Sequence, residues 1–500
     1  MAQHLDSMTA RVLTCLVLAL AGLLSACHPE EVSGGRNASL APCHLKGIDT
    51  ELRCGTIRVL ENRDDHTPTA RHIAIWFAVL PSIARAPSSD PVVVIAGGPG
   101  QSASSVAGIV MPLFKKLNRT RDIVFIDQRG TGHSAPLTCA PPKGITDLAS
   151  QLDPQLMLAT LPQCAAEFAK KRVDVTHYLT DDAVADLDEV RRALGYGPLN
   201  LWAASYGTRV ALEYLREYPK EVRSAVLDGV APSNLRLPLD LAVDADQALS
   251  DMISACSADA ACAKRYPGLG RQVDQLFESL SHGSFNARIV DPVTGSVSHV
   301  PLGGDTFSAW LRQPLYNALT ASLVPQAVAS AASGDFGTLA ALNLSVSGDV
   351  FDQLSLGMHL SVVCSEDMAH VSEADIAAVM HTRFKDSFYR FYQTMCDSWR
   401  ERFVPDSFFQ PLVSDRPILM LEGGRDPATP PRHAMSLLPT LSKARLIISP
   451  YLGHGISSTG CAPDLIEQFI RNADATALKA QCLESMPAAP FFMPPVAKTE

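Results

Sequence analysis

Lysine and arginine nowhere cluster in the 500 residues, and the formal net charge is −10. That balance excludes the electrostatic footprint of a nucleic-acid-binding protein. There is no Cys-x-x-Cys, no cysteine/histidine zinc spacing and no His-Glu-x-x-His, so the sequence implies no metal and no other cofactor. Only 19% of residues are charged against 47% hydrophobic, which is not the composition of a disordered chain. Internal repeats are absent. The one long apolar run, "VLTCLVLALAGLLSA" after Arg11, is too short for a comfortable membrane span.

That run ends in small residues, as a signal peptide does, and closes in Leu24-Ser25-Ala26-Cys27, which resembles a bacterial lipobox. Residues 1–26 are then a lipoprotein-type signal, and Cys27 is the lipidated first residue of the mature chain. Residues 27–45 would be a tether, and a lipid anchor the only membrane attachment. Ordinary cleavage near Ala26 is the alternative. His28 lacks the aspartate associated with inner-membrane retention. Without Cys15 and Cys27, ten cysteines remain as near neighbours in sequence: Cys43/Cys54, Cys139/Cys164, Cys256/Cys262, Cys364/Cys396 and Cys461/Cys482. An even set in an exported chain reads as a sequentially paired disulfide framework; free buried thiols are the alternative.

"TIRVL" and "HIAIWFAVL" read as an opening hairpin. "PVVVIA", "DIVFID", "LNLWAA", "SAVLDG", "ILMLEG" and "RLIISP" suit strands buried on both faces. Helix-period segments lie between several of them, of which "TDDAVADLDEVRRALGYG" is the clearest. The alternation implies an α/β protein with a mostly parallel sheet and helices on both faces. From 236 to 405 it gives way to helical periodicity, broken by one hairpin in "ARIVDPVTGSVSHVPL". This reads as a large helical cap inserted between core segments 46–235 and 406–483 and packed over the strands' carboxyl ends. Residues 484–500 are proline-rich and expected to be irregular.

In "LWAASYGTR", Ser205 follows a strand and opens a helix, the context of a nucleophile elbow. Small residues are needed two before and two after such a serine; Gly207 supplies one, and Ala203 stands where glycine is usual. A plain helix N-cap is the competing reading of Ser205. "VVVIAGGPGQSA" places Gly97, Gly98, Pro99 and Gly100 after a strand, as an oxyanion loop requires; a simple turn is the alternative. "DQRGTGHSA" has a dinucleotide-like spacing, but the prolines that follow forbid the necessary helix. It reads as a structural loop, with Asp127 and Arg129 bracing the floor of the site. Asp426 and His454 each follow a strand on a glycine-rich loop, in the order Ser, Asp, His. They suit the orienting acid and the base, with His133 and His433 as fallback bases.

Together "GGPGQSA", "DQRGTGHS", "AASYGTRVALEYLREYP", "GGRDPATP" and "LGHG" resemble the proline iminopeptidase and tripeptidyl aminopeptidase family of serine peptidases. The resemblance runs from about residue 55 to 483 and is closest to the tripeptidyl-aminopeptidase-like branch. It implies an α/β-hydrolase fold with Ser205 as nucleophile, Asp426 as acid and His454 as base, and the N–H groups of Gly98 and Tyr206 as oxyanion hole. It further implies a peptide substrate with a free N-terminus, whose ammonium group Glu366 of the cap would hold. Ala96, where proline iminopeptidases often carry histidine, and Ala203 put substrate choice in doubt. A carboxylesterase with the same triad and a catalytically silent lipoprotein binding module are the competing functions. The oligomeric state stays open.

Overall fold

The structure, a computed structural model, describes residues 38–139, 151–290, 294–352 and 354–494. The expected signal segment, Cys27, most of the tether and residues 495–500 lie outside the described residues.

Among the described residues nine strands form one sheet in the order β1-β2-β3-β5-β4-β6-β7-β10-β11. In chain order they are β1 (Ala41–Leu45), β2 (Ile48–Leu60), β3 (His72–Leu80), β4 (Val92–Ile95), β5 (Ile123–Ile126), β6 (Leu199–Ala204), β7 (Val222–Asp228), β10 (Ile418–Gly423) and β11 (Ala444–Ser449). β1, β2 and β3 pair antiparallel, as does β3 with β5; from β5 through β11 every pairing is parallel. β4, β5 and β10 are buried at every position because helices cover both faces.

β6 shows how the two-residue period divides the core. Leu199, Leu201 and Ala203 pack on one side with Val210 and Tyr214 of helix Tyr206–Glu217. Trp202 faces the other side, with Phe114 of helix Ala103–Phe114 and Leu465 and Phe469 of helix Ala462–Asn472. The strands and the opening hairpin expected from sequence are all present.

Between β7 and β10 lie helices from Leu237–Ala258 to Ser387–Cys396 and the expected hairpin, β8 (Phe285–Val290) with β9 (Val297–Leu302). This stretch has its own apolar core, including Leu249, Phe307, Trp310 and Phe384. It rests on the strand-end loops: Ser355 N–H donates to Gly100 O (2.9 Å), and His454 N–H donates to Tyr316 O (2.8 Å).

The ten cysteines form five sequential disulfides: Cys43–Cys54, Cys139–Cys164, Cys256–Cys262, Cys364–Cys396 and Cys461–Cys482. The first corrects one boundary. Residues 27–45 are not all tether, since Ala41–Leu45 is β1, laddered to β2 and bonded to it covalently. At the other end residues 485–494 are irregular but pinned to the cap. Tyr266 Oη donates to Phe492 O (2.9 Å), and Phe492 N–H donates to Ser322 O (3.1 Å).

Candidate active site

Ser205 sits between β6 and helix Tyr206–Glu217 with φ 56° and ψ −131°. A residue with a Cβ adopts that conformation only under constraint, at a cost of about 1–3 kcal/mol. The constraint is visible: Ser205 N–H donates to Asp228 O (2.8 Å), while Ser205 O accepts from Thr208 N–H (2.8 Å) and Thr208 Oγ1 (2.6 Å). The Ser205 side chain makes no capping hydrogen bond, so the N-cap reading does not describe it.

The small flanking residues follow from crowding. A Cβ on Gly207 would stand 2.5 Å from Ile95 O and 2.7 Å from Ala96 O, both backbone atoms. Ala203, fully buried, fits its methyl into the core on that face of the sheet. Gly97 lies so close that a Cβ there would be 2.9 Å from Ser205 Cβ. Next to it Gly98 has φ 107°, open to glycine alone. Among the described residues neither Gly98 N–H nor Tyr206 N–H donates to a backbone acceptor, which suits a pair that receives an oxyanion.

His454 Nδ1 lies 2.6 Å from Asp426 Oδ2 and 3.1 Å from Thr429 Oγ1. Asp426 also accepts from Ala428 N–H (2.8 Å) and Thr429 N–H (3.0 Å). The imidazole packs against the backbone that anchors the serine. A Cβ on Gly229 would be 3.1 Å from His454 Cε1, and the preceding residue, Asp228, is the acceptor for Ser205 N–H. Structure therefore brings Ser205, Asp426, His454, Gly98 and Tyr206 together at the carboxyl ends of the parallel strands.

Three carboxyls are buried there, and their environments differ. Burial drives all three upward. In Asp426 the charge and hydrogen bond of His454, with two N–H donors, outweigh it and hold the carboxyl below its ordinary range. Asp228 is pushed up despite accepting from Ile456 and Ser457 N–H (2.8 Å each). Glu422 is raised well above the usual carboxylate value by burial and by the nearby charges of Asp426 and Asp228. Only Asp426 is built to stay ionised beside an imidazolium. For His454, burial is the largest influence and opposes charging, but the charge and hydrogen bond of Asp426 exceed it and raise its pKa.

Glu366 does not serve as the amine anchor expected of it. It is 2% exposed, and both carboxylate oxygens are occupied. Oε1 accepts from Thr180 N–H (2.8 Å); Oε2 accepts from Thr180 Oγ1 (2.8 Å) and Arg209 Nη1 (3.1 Å). Arg209, itself buried on the elbow helix, also binds Asp367 (2.9 Å), and Tyr206 Oη meets Thr180 Oγ1 at 2.8 Å. The acidic pair reads in sequence as a cap surface because its partner, Arg209, is far away along the chain. Burial pushes Glu366 up to about 7, with Arg209 pulling the other way.

The remaining candidates have other partners. His133 is bonded to Asp127 (3.0 Å) and packs at a tilt against Trp76. Asp127 also accepts from Ser104 N–H (2.8 Å) at the start of the helix after the glycine loop. Arg129 braces another place: it holds Asp186 and the carbonyls of Glu61 and His177. The loop's own brace is Gln128, whose Nε2 donates to Ala96 O (3.0 Å). His433 is bonded to Asp244 (2.8 Å). Asp240, Asp244 and His433 converge as metal ligands can, but Arg432 already pairs with both carboxylates (2.7 and 2.6 Å).

Two family descriptions match this chain: "alpha/beta hydrolase fold" over residues 90–291 and "TAP-like protein" over 382–482. The first covers the glycine loop and the serine elbow; the second covers the Asp426 and His454 loops. The chain has the α/β-hydrolase fold, and over these residues it is similar to the proline iminopeptidase and tripeptidyl aminopeptidase family. The serine protease Hip1 of Mycobacterium tuberculosis is 30% identical over 185 residues, 35% of each chain. The tripeptidyl aminopeptidase of Streptomyces lividans is 31% identical over 165 residues, 30% of each chain. A proline iminopeptidase of Neisseria meningitidis is 30% identical over 146 residues, 29% of this chain and 34% of that one. The chain thus matches about a third of the length of these curated relatives. Among the described residues of this α/β-hydrolase no helix is long and apolar enough to cross a membrane.

Proposed function

We propose that this protein is an exported serine aminopeptidase, releasing N-terminal residues or short peptides through an acyl-enzyme on Ser205. The observation that carries the reading is a constrained serine on a strand-to-helix elbow, set against the backbone beside an Asp426–His454 pair. Ser205 Oγ attacks the scissile carbonyl as His454 Nε2 takes its proton, and the oxyanion is received by Gly98 and Tyr206 N–H. Asp426 fixes the tautomer with Nδ1 protonated and stabilises the imidazolium. His454 then gives the proton to the leaving amine. Water, deprotonated by the same ring, hydrolyses the ester.

Peptide as substrate is supported by relatives named as peptidases. Export is supported by the five disulfides and by the signal-like N-terminal segment, and attachment through lipidated Cys27 belongs to the same proposal. Turnover of aminoacyl- and tripeptidyl-anilides with free and acetylated N-termini, beside p-nitrophenyl acetate, tests the reading. Cleavage of the free-amine anilides only is expected. Hydrolysis of the simple ester with no anilide cleaved would make the protein an esterase, and equal rates on acetylated peptides would rule out aminopeptidase action.

A further inference from the structure

Arg312 ends the cap helix Gly304–Arg312, and its guanidinium lies one aromatic ring from the candidate base. Its Cζ is 5.1 Å from the centroid of Tyr316 and 5.3 Å from that of Phe388, so both rings bear on the cation. Tyr316 in turn packs edge-on against His454, with ring centroids 5.3 Å apart. Backbone fixes this placement: Tyr316 O accepts from His454 N–H (2.8 Å), and a Cβ on Gly453 would stand only 2.3 Å from that oxygen.

The fork is poorly satisfied. Nη1 donates to Tyr316 Oη, while Nε is buried with no acceptor. Among the described residues no carboxylate forms an ion pair with Arg312, although Arg383, Arg390 and Arg402 each hold two. Arg312 as a whole is half-buried, but a buried donor such as Nε without an acceptor costs free energy unless something fills it. Its flat fork matches a carboxylate better than any other group a peptide offers.

We propose that Arg312 is a substrate-binding residue that takes a carboxylate of the bound peptide, either an acidic side chain or a free C-terminus. The inference rests on the reading of Ser205 as nucleophile. It adds an anion subsite on the cap beside His454, where Glu366 offers no counterpart for an ammonium group.

Matched substrates test it: Glu against Gln at each position of short peptides, and free C-terminal carboxylate against carboxamide. The native enzyme favours one carboxylate form in kcat/KM by about 10- to 100-fold, the range of a charged hydrogen bond. The pair that shows the preference identifies the source. In Arg312→Gln the ratio falls to about 1, and Arg312→Lys restores part of it. A native ratio near 1, or a ratio that Arg312→Gln leaves unchanged while both rates drop, overturns the proposal. Titration of the same peptides into Ser205→Ala protein, with and without Arg312→Gln, reads the subsite without turnover; equal affinity for acid and amide there overturns it too. Fluorophosphonate labelling of Ser205 with no carboxylate preference would reject the subsite alone, whereas an unlabelled Ser205 would reject the hydrolase reading.

Discussion

Replacing Gly207 by alanine puts one methyl where no space exists. Its Cβ would meet Ile95 O at 2.5 Å and Ala96 O at 2.7 Å, against an ordinary carbon contact of about 3.5 Å. The two must separate by about 1 Å, and neither side is a flexible side-chain end. One side is the first turn of the elbow helix; the other is the end of β4, which leads into Gly97 and Gly98. The strain should cost about 1–3 kcal/mol of stability, as overpacking does. The larger effect is on geometry, because Tyr206 N–H and Gly98 N–H lie on the two parts being forced apart. A misplacement of about 1 Å near reacting groups costs about 100-fold in rate. Ala203→Gly is the control, removing one methyl from the same elbow. It should lose about 1–2 kcal/mol through a vacated core site and a looser strand, with a rate within about threefold of native. Fluorophosphonate labelling rates, read beside urea unfolding, separate the two effects. A Gly207→Ala protein that is destabilised yet labels at the native rate would refute this coupling of helix, strand and oxyanion site.

The pH profile follows from the Asp426–His454 pair. Because His454 titrates above the ordinary imidazole value of about 6.5, activity should fall on acidification with a midpoint above that value. Asp426→Asn removes the two largest influences that raise it, leaves burial and the smaller effect of Asp228, and so should move the acid limb down while cutting kcat by about 10⁴-fold; an unmoved limb would assign that ionisation elsewhere. Glu366 has a folded-state value near 7, above the unfolded one, so the folded state binds the extra proton between the two. The stability this gives is complete below the unfolded value and is lost as pH rises through about 7. Glu366→Gln should therefore flatten the urea midpoint between pH 5 and 8, and an unchanged slope would contradict it. Reducing Cys364–Cys396 should loosen the segment that carries Glu366 and Asp367 from the helix that carries Phe388 and Tyr392; protease cleavage in the cap, compared with and without reductant, reads this.

Strands were legible because their runs are short, β-branched and buried on both faces; Ser205, Gly98, Asp426 and His454 stood out as candidates because each follows such a run. β1 was not, since "APCHL" has no clean alternation and is half exposed. The charge network was equally hidden. Arg209 looks like any polar residue on an amphipathic helix, and Glu366 like a surface acid, until the fold buries them against each other. Asp228 carried a faint signal as an acid at the end of a strand in "SAVLDG". Its use, holding the two N–H groups after His454, depends on a loop more than two hundred residues away. Arg312 had none, because what marks it is the absence, among the described residues, of a carboxylate paired with it.

The central claim is that Asp426 and His454 make Ser205 a nucleophile. Its most direct test is mass mapping of the protein after brief exposure to a fluorophosphonate. The account predicts one adduct, on the peptide containing Ser205, absent in Ser205→Ala and at least about 100-fold slower to form in His454→Ala. An unmodified Ser205, an adduct on another residue, or labelling of Ser205 that ignores the loss of His454 would contradict it.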